Sequence, residues 1–420
     1  MSATAPRYLT RFQCLADTCE DTCCAGLVVP VSDARWKVLR DAVAGGPDAA
    51  RVEALVLPDP GSGVGAEAAY IAKREDGLCS FLDARKLCSL HRAYGEAVLP
   101  DACAVFPRVA TRRAGRLEVT GSFGCPEVVR LCLLAEDALE PVPVDASLAA
   151  RPELARALGG EDAADAWTWH AARVREVALR ILERREYPYA SRLFMLGELA
   201  RRLGAFYFRG TEAFRDEALL LSTLSDFEAP STLDALHAMV SSVRLPGGPW
   251  AGICGAVLRA RIDGVRGARF QAWARAIQAS YGGPSAAPDD VWAQYSERRA
   301  RLEPVLGERI EQYFRHHAVN HWLRNPFTDS PSVMDSVFKL TLRAAMLRWA
   351  LFGHPEVVAL CEDPSPSDAR ARLDAAAVEC FQLSAKHLEQ SPELHDLAQG
   401  LSGGAGPDSL PRMLVLLQGM

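Results

Sequence analysis

Eight cysteines fall within the first 125 residues: Cys14, Cys19, Cys23 and Cys24 in CLADTCEDTCC, then Cys79, Cys88 and Cys103, and finally Cys125 in GSFGCPE. Thiolates are soft donors, and a group of them selects zinc or an iron–sulfur cluster over harder cations. Zinc takes four donors on a tetrahedron with bonds of about 2.3 Å, whereas a four-iron cluster takes its thiolates at the corners of a cube. No four-cysteine run here has the spacing of a zinc ribbon or a bacterial ferredoxin, so both metals stay open. A helical turn over residues 17–25 would place Cys19 and Cys23 on one face, four residues apart. Asp21, Asp101, Arg108 and Glu127 stand near these cysteines in sequence and are candidates to orient ligands or balance their charge. Cys132, Cys254, Cys361 and Cys380 lie in apolar or helical surroundings and read as core packing.

The metal reading depends on the compartment. The opening MSATAPRYLTRFQC is broken by Pro6, Arg7 and Arg11 before an apolar run can form, and no later stretch of about 18 apolar residues occurs. The expectation is a cytoplasmic protein, in which clustered thiols meet metals rather than pair as disulfides. The 47 Lys and Arg against 53 Asp and Glu give no general electrostatic reason to expect nucleic acid or an anionic membrane as partner.

The elements that must position the thiols differ along the chain. Its 420 residues, 49% of them hydrophobic, exceed one ordinary core. Residues 1–135 are interrupted by Pro30, Gly45-Gly46-Pro47, Pro58-Asp59-Pro60-Gly61, Asp76-Gly77 and Pro100, which predicts a loop-rich, cysteine-rich domain with short helices. A linker over 136–162 follows. From 163 to 420 the apolar positions recur at helical spacing, as at Trp167, Ala171, Val174, Ala178 and Ile181, with Arg173, Glu176, Arg180 and Glu183 off the stripe. The fold class expected is therefore mainly α, with a metal-binding N-terminal domain ahead of an irregular helical bundle or a solenoid-like stack.

Two further patterns bear on chemistry. LVLPDPGSGVG at 55–65 has the glycines of a nucleotide-binding turn, but Pro58 and Pro60 disturb the strand side and no strand–helix alternation follows, so it reads as a surface loop. One long helix, from Val291 to about Arg324, gathers Glu311, Tyr313, His317, His321 and Trp322. His317 and His321 are four apart, without the Glu that a metalloprotease helix needs after the first His.

The segments CLADTCEDTCCAG, GLCSFLDARKLCSLHRAYGEAVLPDACAVFPR and GSFGCPEVVRLCL, with Phe-Pro-Arg at 106–108 and Cys-Pro-Glu at 125–127, together resemble the flagellin lysine-N-methylase family. YPYASRLFMLGELA and IEQYFRHHAVNHWLRNPF are similar to its helical region. The resemblance implies transfer of methyl groups from S-adenosylmethionine to lysine amines of a protein partner, flagellin, by an enzyme carrying a four-iron four-sulfur cluster, with zinc as the alternative metal. Amine methylation needs a neutral nitrogen, so a lysine of pKa about 10.4 must lose its proton before attack. Glu311, Tyr313, His317, His321 and Trp322 offer carboxylate, base and aromatic surface for cations, although an aromatic-rich helix also suits a core. The competing class is a non-catalytic zinc- or iron-chelating module whose helical domain docks a partner. A simple chelator has no need of roughly 260 further residues, which favours the enzyme.

Overall fold

The computed structural model describes residues 2–26, 28–58, 69–113, 115–158, 166–208, 217–265, 267–363, 367–389, 391–402 and 409–420. Residues 59–65 of the glycine-containing loop, and the end of the expected linker from 159 on, lie outside these.

The chain is mainly helical, as its periodicity predicts, but the N-terminal third also builds two small sheets that its composition does not announce. The strands are β1 Ser2–Pro6, β2 Pro30–Val31, β3 Val56–Pro58, β4 Ala69–Ile71, β5 Arg108–Arg113, β6 Arg116–Gly121, β7 Pro141–Asp145 and β8 Arg156–Leu158. Five of them form a mixed sheet in the order β7-β1-β6-β5-β8, and the other three pair antiparallel in the order β2-β4-β3. β5 and β6 are an antiparallel hairpin in which Arg113 faces Arg116, and Gly115 supplies the positive φ that so tight a connection needs. Along β6 the side chains of Leu117 and Val119 are buried two residues apart, as a sheet with one face on the core requires. The stretch 136–158 thus contributes both outer strands of the larger sheet.

Two clusters of buried side chains result. The smaller draws on residues 29–104, including Val31, Leu39, Val52, Ile71, Phe81 and Leu90. The larger sheet instead packs its apolar face into the core of the helical body, where Ala3, Tyr8, Val119, Val128 and Leu133 join the helices.

The body is organised around the helix Pro288–Arg324, 37 residues and so about 55 Å long. Pro288 at its first position and Asp289 and Asp290 in its first turn suit a helix start, while His321 and Arg324 complement the dipole at its end. Its second half is buried on nearly every side. The helix Val333–Gly353 beside it is likewise buried almost throughout, with the Ser332 hydroxyl capping the Asp335 amide at 3.1 Å. The short helix Pro126–Leu134, which begins directly after Cys125, packs against both the long helix and the helix Ala369–His387. A closed set of hydrogen bonds fixes the joint. The Tyr8 hydroxyl donates to Asn320 Oδ1 at 2.7 Å and accepts from the Gly121 amide at 2.6 Å, and Asn320 Nδ2 donates to the Gly121 carbonyl at 3.1 Å. Only glycine fits there, because a Cβ on Gly121 would stand 2.7 Å from Val128 and 3.0 Å from the Tyr8 hydroxyl. Among the described residues no helix is long and apolar enough to cross a membrane.

Candidate functional site: two groups of thiols and an adjoining cavity

The eight thiols divide by position. Cys79 belongs to the smaller core, and Cys24, Cys88 and Cys103 pack against it. The Cys79 amide donates to the Cys24 carbonyl at 2.9 Å, Cys88 bridges Leu82 and begins the helix Ser89–Tyr94, and Cys103 lies in the short helix Asp101–Val105. The charge of Cys24 reaches the other three. Burial first, then Cys24, Cys79 and Cys88, push Cys103 up to about 12. Burial and the charges of Cys24 and Cys79 raise Cys88, although backbone amides oppose them. Burial raises Cys79, with Cys24 adding to the rise and the Phe81 amide and Lys73 opposing it. Lys73, whose ammonium donates to the Cys24 carbonyl at 3.3 Å, is the nearby cation. Hydrogen bonding to Cys23, together with burial, drives Cys24 far above its ordinary value.

A second group lies against the helical body. Burial pushes the Cys125 thiol up to about 11 at the start of the helix Pro126–Leu134, with the Val128 and Glu127 amides opposing and the charges of Cys19 and Cys14 adding to the rise. The Cys19 thiol donates to the Asp21 carbonyl at 3.5 Å. A helical turn over 17–25, on which a shared face for Cys19 and Cys23 depends, does not form: a single 3-10 turn spans Ala16–Thr18, and Cys19 is already extended. Cys19 and Cys23 therefore share no helix face, and Cys23 meets Cys24 instead.

Ion pairs and hydrogen bonds fasten the residues that stand near the thiols in sequence, and the most buried pair is at Asp21. Asp21 accepts from the Lys386 ammonium and the Gln382 amide, both at 2.8 Å, and Lys386 also donates to the Thr22 carbonyl at 3.0 Å. Gln382 further donates to the Gly124 carbonyl at 3.2 Å. Glu127 pairs with Arg130, which also reaches Glu20 at 2.5 Å. Asp101 pairs with Arg151, whose guanidinium also donates to the Leu99 carbonyl at 2.9 Å. Arg108 lies over the Phe12 ring at 5.4 Å. Asp21, Asp101, Glu127 and Arg108 are thus fastened to other side chains around the thiols.

Of the candidates on the long helix, Tyr313, His317, His321 and Trp322 are buried in the body, whereas Glu311 is partly exposed. Glu311 pairs with Arg192. Tyr313 donates to Asp374, which also receives Arg309 at 2.8 Å. His317 stands 3.5 Å from Glu389, with its ring against Phe123 and Phe381. Burial lowers His317, against the pull of Glu389. Burial alone would raise Glu389, but the hydrogen bond from His317 and the charges of Arg324 and Arg343 hold it well below the usual carboxylate range. The ring nitrogens of His321 face Asn325 at 3.0 Å and Arg343 at 3.3 Å, and burial followed by the Arg343 charge keeps it neutral. Trp322 stacks on Phe327.

A cavity of about 560 Å³ adjoins the second thiol group. Glu20, Pro126, Arg130, Arg269, His354, Asp374, Glu379 and Gln382 are among the residues that line it. Tyr313 reaches its wall through Asp374. Arg309, Asp374, Gln382, Lys386 and Glu389 were not singled out from the sequence.

The residues 175–416 match the model of the FliB lysine N-methylase C-terminal domain, more than half of the chain. The chain belongs to the FliB lysine N-methylase family. It is 24% identical over 151 residues to the lysine-N-methylase of Salmonella typhimurium, covering 33% of this chain and 34% of that protein. It is 26% identical over 151 residues to the Salmonella choleraesuis lysine-N-methylase, with the same coverage. It is also 24% identical over 151 residues to the flagellar biosynthetic protein FliU of Salmonella muenchen, covering 33% of this chain and 81% of that one. The matched stretch spans about a third of the two lysine-N-methylases. No solved structure matches the chain. The FliB-matched region contains the long helix, its buried neighbour and the helix that carries Gln382 and Lys386, whereas all eight clustered cysteines precede it.

Proposed function

We propose that this chain is a protein lysine N-methyltransferase that takes its methyl group from S-adenosylmethionine, acts on flagellin, and carries a thiolate-held metal group on Cys24, Cys79, Cys88 and Cys103. The family match over 175–416 carries the reading of the activity. The relative named a flagellar biosynthetic protein supports a flagellar substrate.

The thiol quartet fits a metal group by donor type and number. Cys79, Cys88 and Cys103 are all raised by Cys24 as well as by burial, and such thiols are relieved when a cation takes their protons' place. Among the described residues no three Cys, His, Asp or Glu stand at the spacing of ligands to a single ion. A cube-shaped four-iron cluster binds each thiolate at a separate iron and accepts wider spacing than one tetrahedral zinc. The quartet supplies the four thiolates that a four-iron four-sulfur cluster requires, and the same number would serve one zinc. Bound there, such a group would crosslink the chain on either side of the β2–β4 segment, at Cys24 and Cys79, to Cys88 at the start of the helix Ser89–Tyr94 and to Cys103 in the helix Asp101–Val105. Cys14, Cys19, Cys23 and Cys125 remain ligand candidates for a second site.

The test is anaerobic purification of the full chain, with iron, acid-labile sulfide and zinc analysis, followed by incubation with flagellin and methyl-labelled donor. Near-equal iron and sulfide with label on flagellin lysines supports the reading. A metal-loaded chain that labels no lysine overturns the activity, and stoichiometric zinc without sulfide overturns the cluster.

A further inference from the structure

The cavity beside Cys125 has the size, surface and unpaired groups of a small-molecule site. Its volume of about 560 Å³ lies within the usual range for such sites, roughly 300–1,000 Å³. Part of its lining comes from Ala371 and Ala375, one turn apart on the helix Ala369–His387 and both exposed. Two methyl groups at that spacing leave a shallow apolar bed that a flat ring system can cover.

The polar lining is more specific. Arg269 Nη1 and Gln382 Oε1 are both buried without a hydrogen-bond partner, and both residues line the cavity. Gln382 is fully buried, and its amide nitrogen is already committed to Asp21 and the Gly124 carbonyl. An unpaired buried donor and an unpaired buried acceptor on one cavity call for a ligand that supplies their opposites. An α-amino acid does so, with a carboxylate for the guanidinium and an ammonium for the amide oxygen. The carboxylates of Glu20, Asp374 and Glu379 on the same lining are already paired, with Arg130, Arg309 and Arg269 respectively, and the Arg269 pair uses Nε and Nη2 and leaves Nη1 over. A protein lysine brings an ammonium but no carboxylate, and would leave Arg269 Nη1 unpaired.

We propose that this cavity binds S-adenosylmethionine, with its amino-acid end at Arg269 and Gln382 and its ring system over Ala371 and Ala375. The assignment rests on the methyltransferase reading above, and adds to it a location that places the donor beside the second thiol group rather than at the quartet.

The experiment is calorimetric titration of the full, metal-loaded chain with S-adenosylmethionine and with 5′-methylthioadenosine, which lacks the amino acid. Ala375→Trp fills the cavity from an exposed position, and Ala235→Trp on the distant helix Pro230–Ser242 is its control. The expected result is at least a tenfold loss of donor affinity in Ala375→Trp and wild-type affinity in Ala235→Trp. Arg269→Met should weaken S-adenosylmethionine at least tenfold while leaving methylthioadenosine within about twofold. Donor binding by the wild type that Ala375→Trp leaves unchanged overturns the site and leaves the methylase reading standing. Equal weakening of both ligands by Arg269→Met overturns the orientation. No donor binding by the metal-loaded wild type overturns the methylase reading itself, and the site with it.

Discussion

Replacing Lys386 by Met tests whether the cysteine-rich segment is latched to the helical body by one buried ion pair. The Lys386 ammonium is 2.8 Å from Asp21, and the two side chains are 2% and 11% exposed. Removing one partner of a fully buried pair costs about 3–5 kcal/mol, because the other charge stays desolvated. Asp21 retains some water and the hydrogen bond from Gln382, so the expected cost is about 2–3 kcal/mol. The loss falls on local opening rather than on the whole fold, since the body keeps its own core. That free energy corresponds to a roughly 30- to 150-fold rise in the opening equilibrium. Hydrogen exchange read by mass spectrometry on peptides covering residues 14–26 measures it directly. The Asp21→Asn, Lys386→Met double variant removes both charges and should recover to within about 1 kcal/mol of wild type. Wild-type exchange in the single variant, or a double variant no better than the single, refutes the latch.

Cys24→Ala or Cys79→Ala should cripple metal loading, while Cys380→Ala, fully buried in the helical body, should leave it intact; equal metal content in all three refutes the division of the thiols. His316 is held down to about 4, chiefly by burial, with Nδ1 against the Cys132 carbonyl at 2.6 Å. The unfolded chain protonates it near 6.5, so its contribution is complete above about pH 6.5 and is lost as pH falls toward about 4, by up to about 3 kcal/mol. The urea midpoint should drop less between pH 7.5 and 5 in His316→Gln than in wild type, and equal drops refute the assignment. Gly121→Ala should lower stability by about 1–3 kcal/mol through the clash with Val128 and Tyr8, seen as a reduced Tm; an unchanged Tm refutes the close approach.

The helices were legible because their signal is local. The long helix was read from Val291 to about Arg324 by its spaced apolar residues and begins three residues earlier, at Pro288, with Asp289 and Asp290 in its first turn. The strands were not, because their signal lies in partners far along the chain. β1 is SATAP, small and polar, and becomes a strand because Ala3 pairs with Leu117 on one side and Val144 on the other. β7 is PVPVD, whose two prolines argue against a strand until its outer position in the sheet is known. The thiols were legible as donors by type and compartment, but their grouping was not. Helical geometry would have joined Cys19 to Cys23, whereas an aspartate bonded to a lysine 365 residues away holds that segment extended.

Gln382 is where the separate parts of the site meet. Its amide nitrogen bonds Asp21, midway between Cys19 and Cys23 in the chain, and also the carbonyl of Gly124, which precedes Cys125. Its side chain at the same time lines the cavity, with the amide oxygen unpaired. An amide is planar and its two ends turn together, so any rotation that gives the oxygen a new partner also moves the nitrogen away from Asp21 or Gly124. The cysteine-bearing segment and the cavity are therefore mechanically joined through one buried side chain on the helix Ala369–His387. The same helix carries Lys386, one turn further on, so the latch and the cavity wall share a single rigid support.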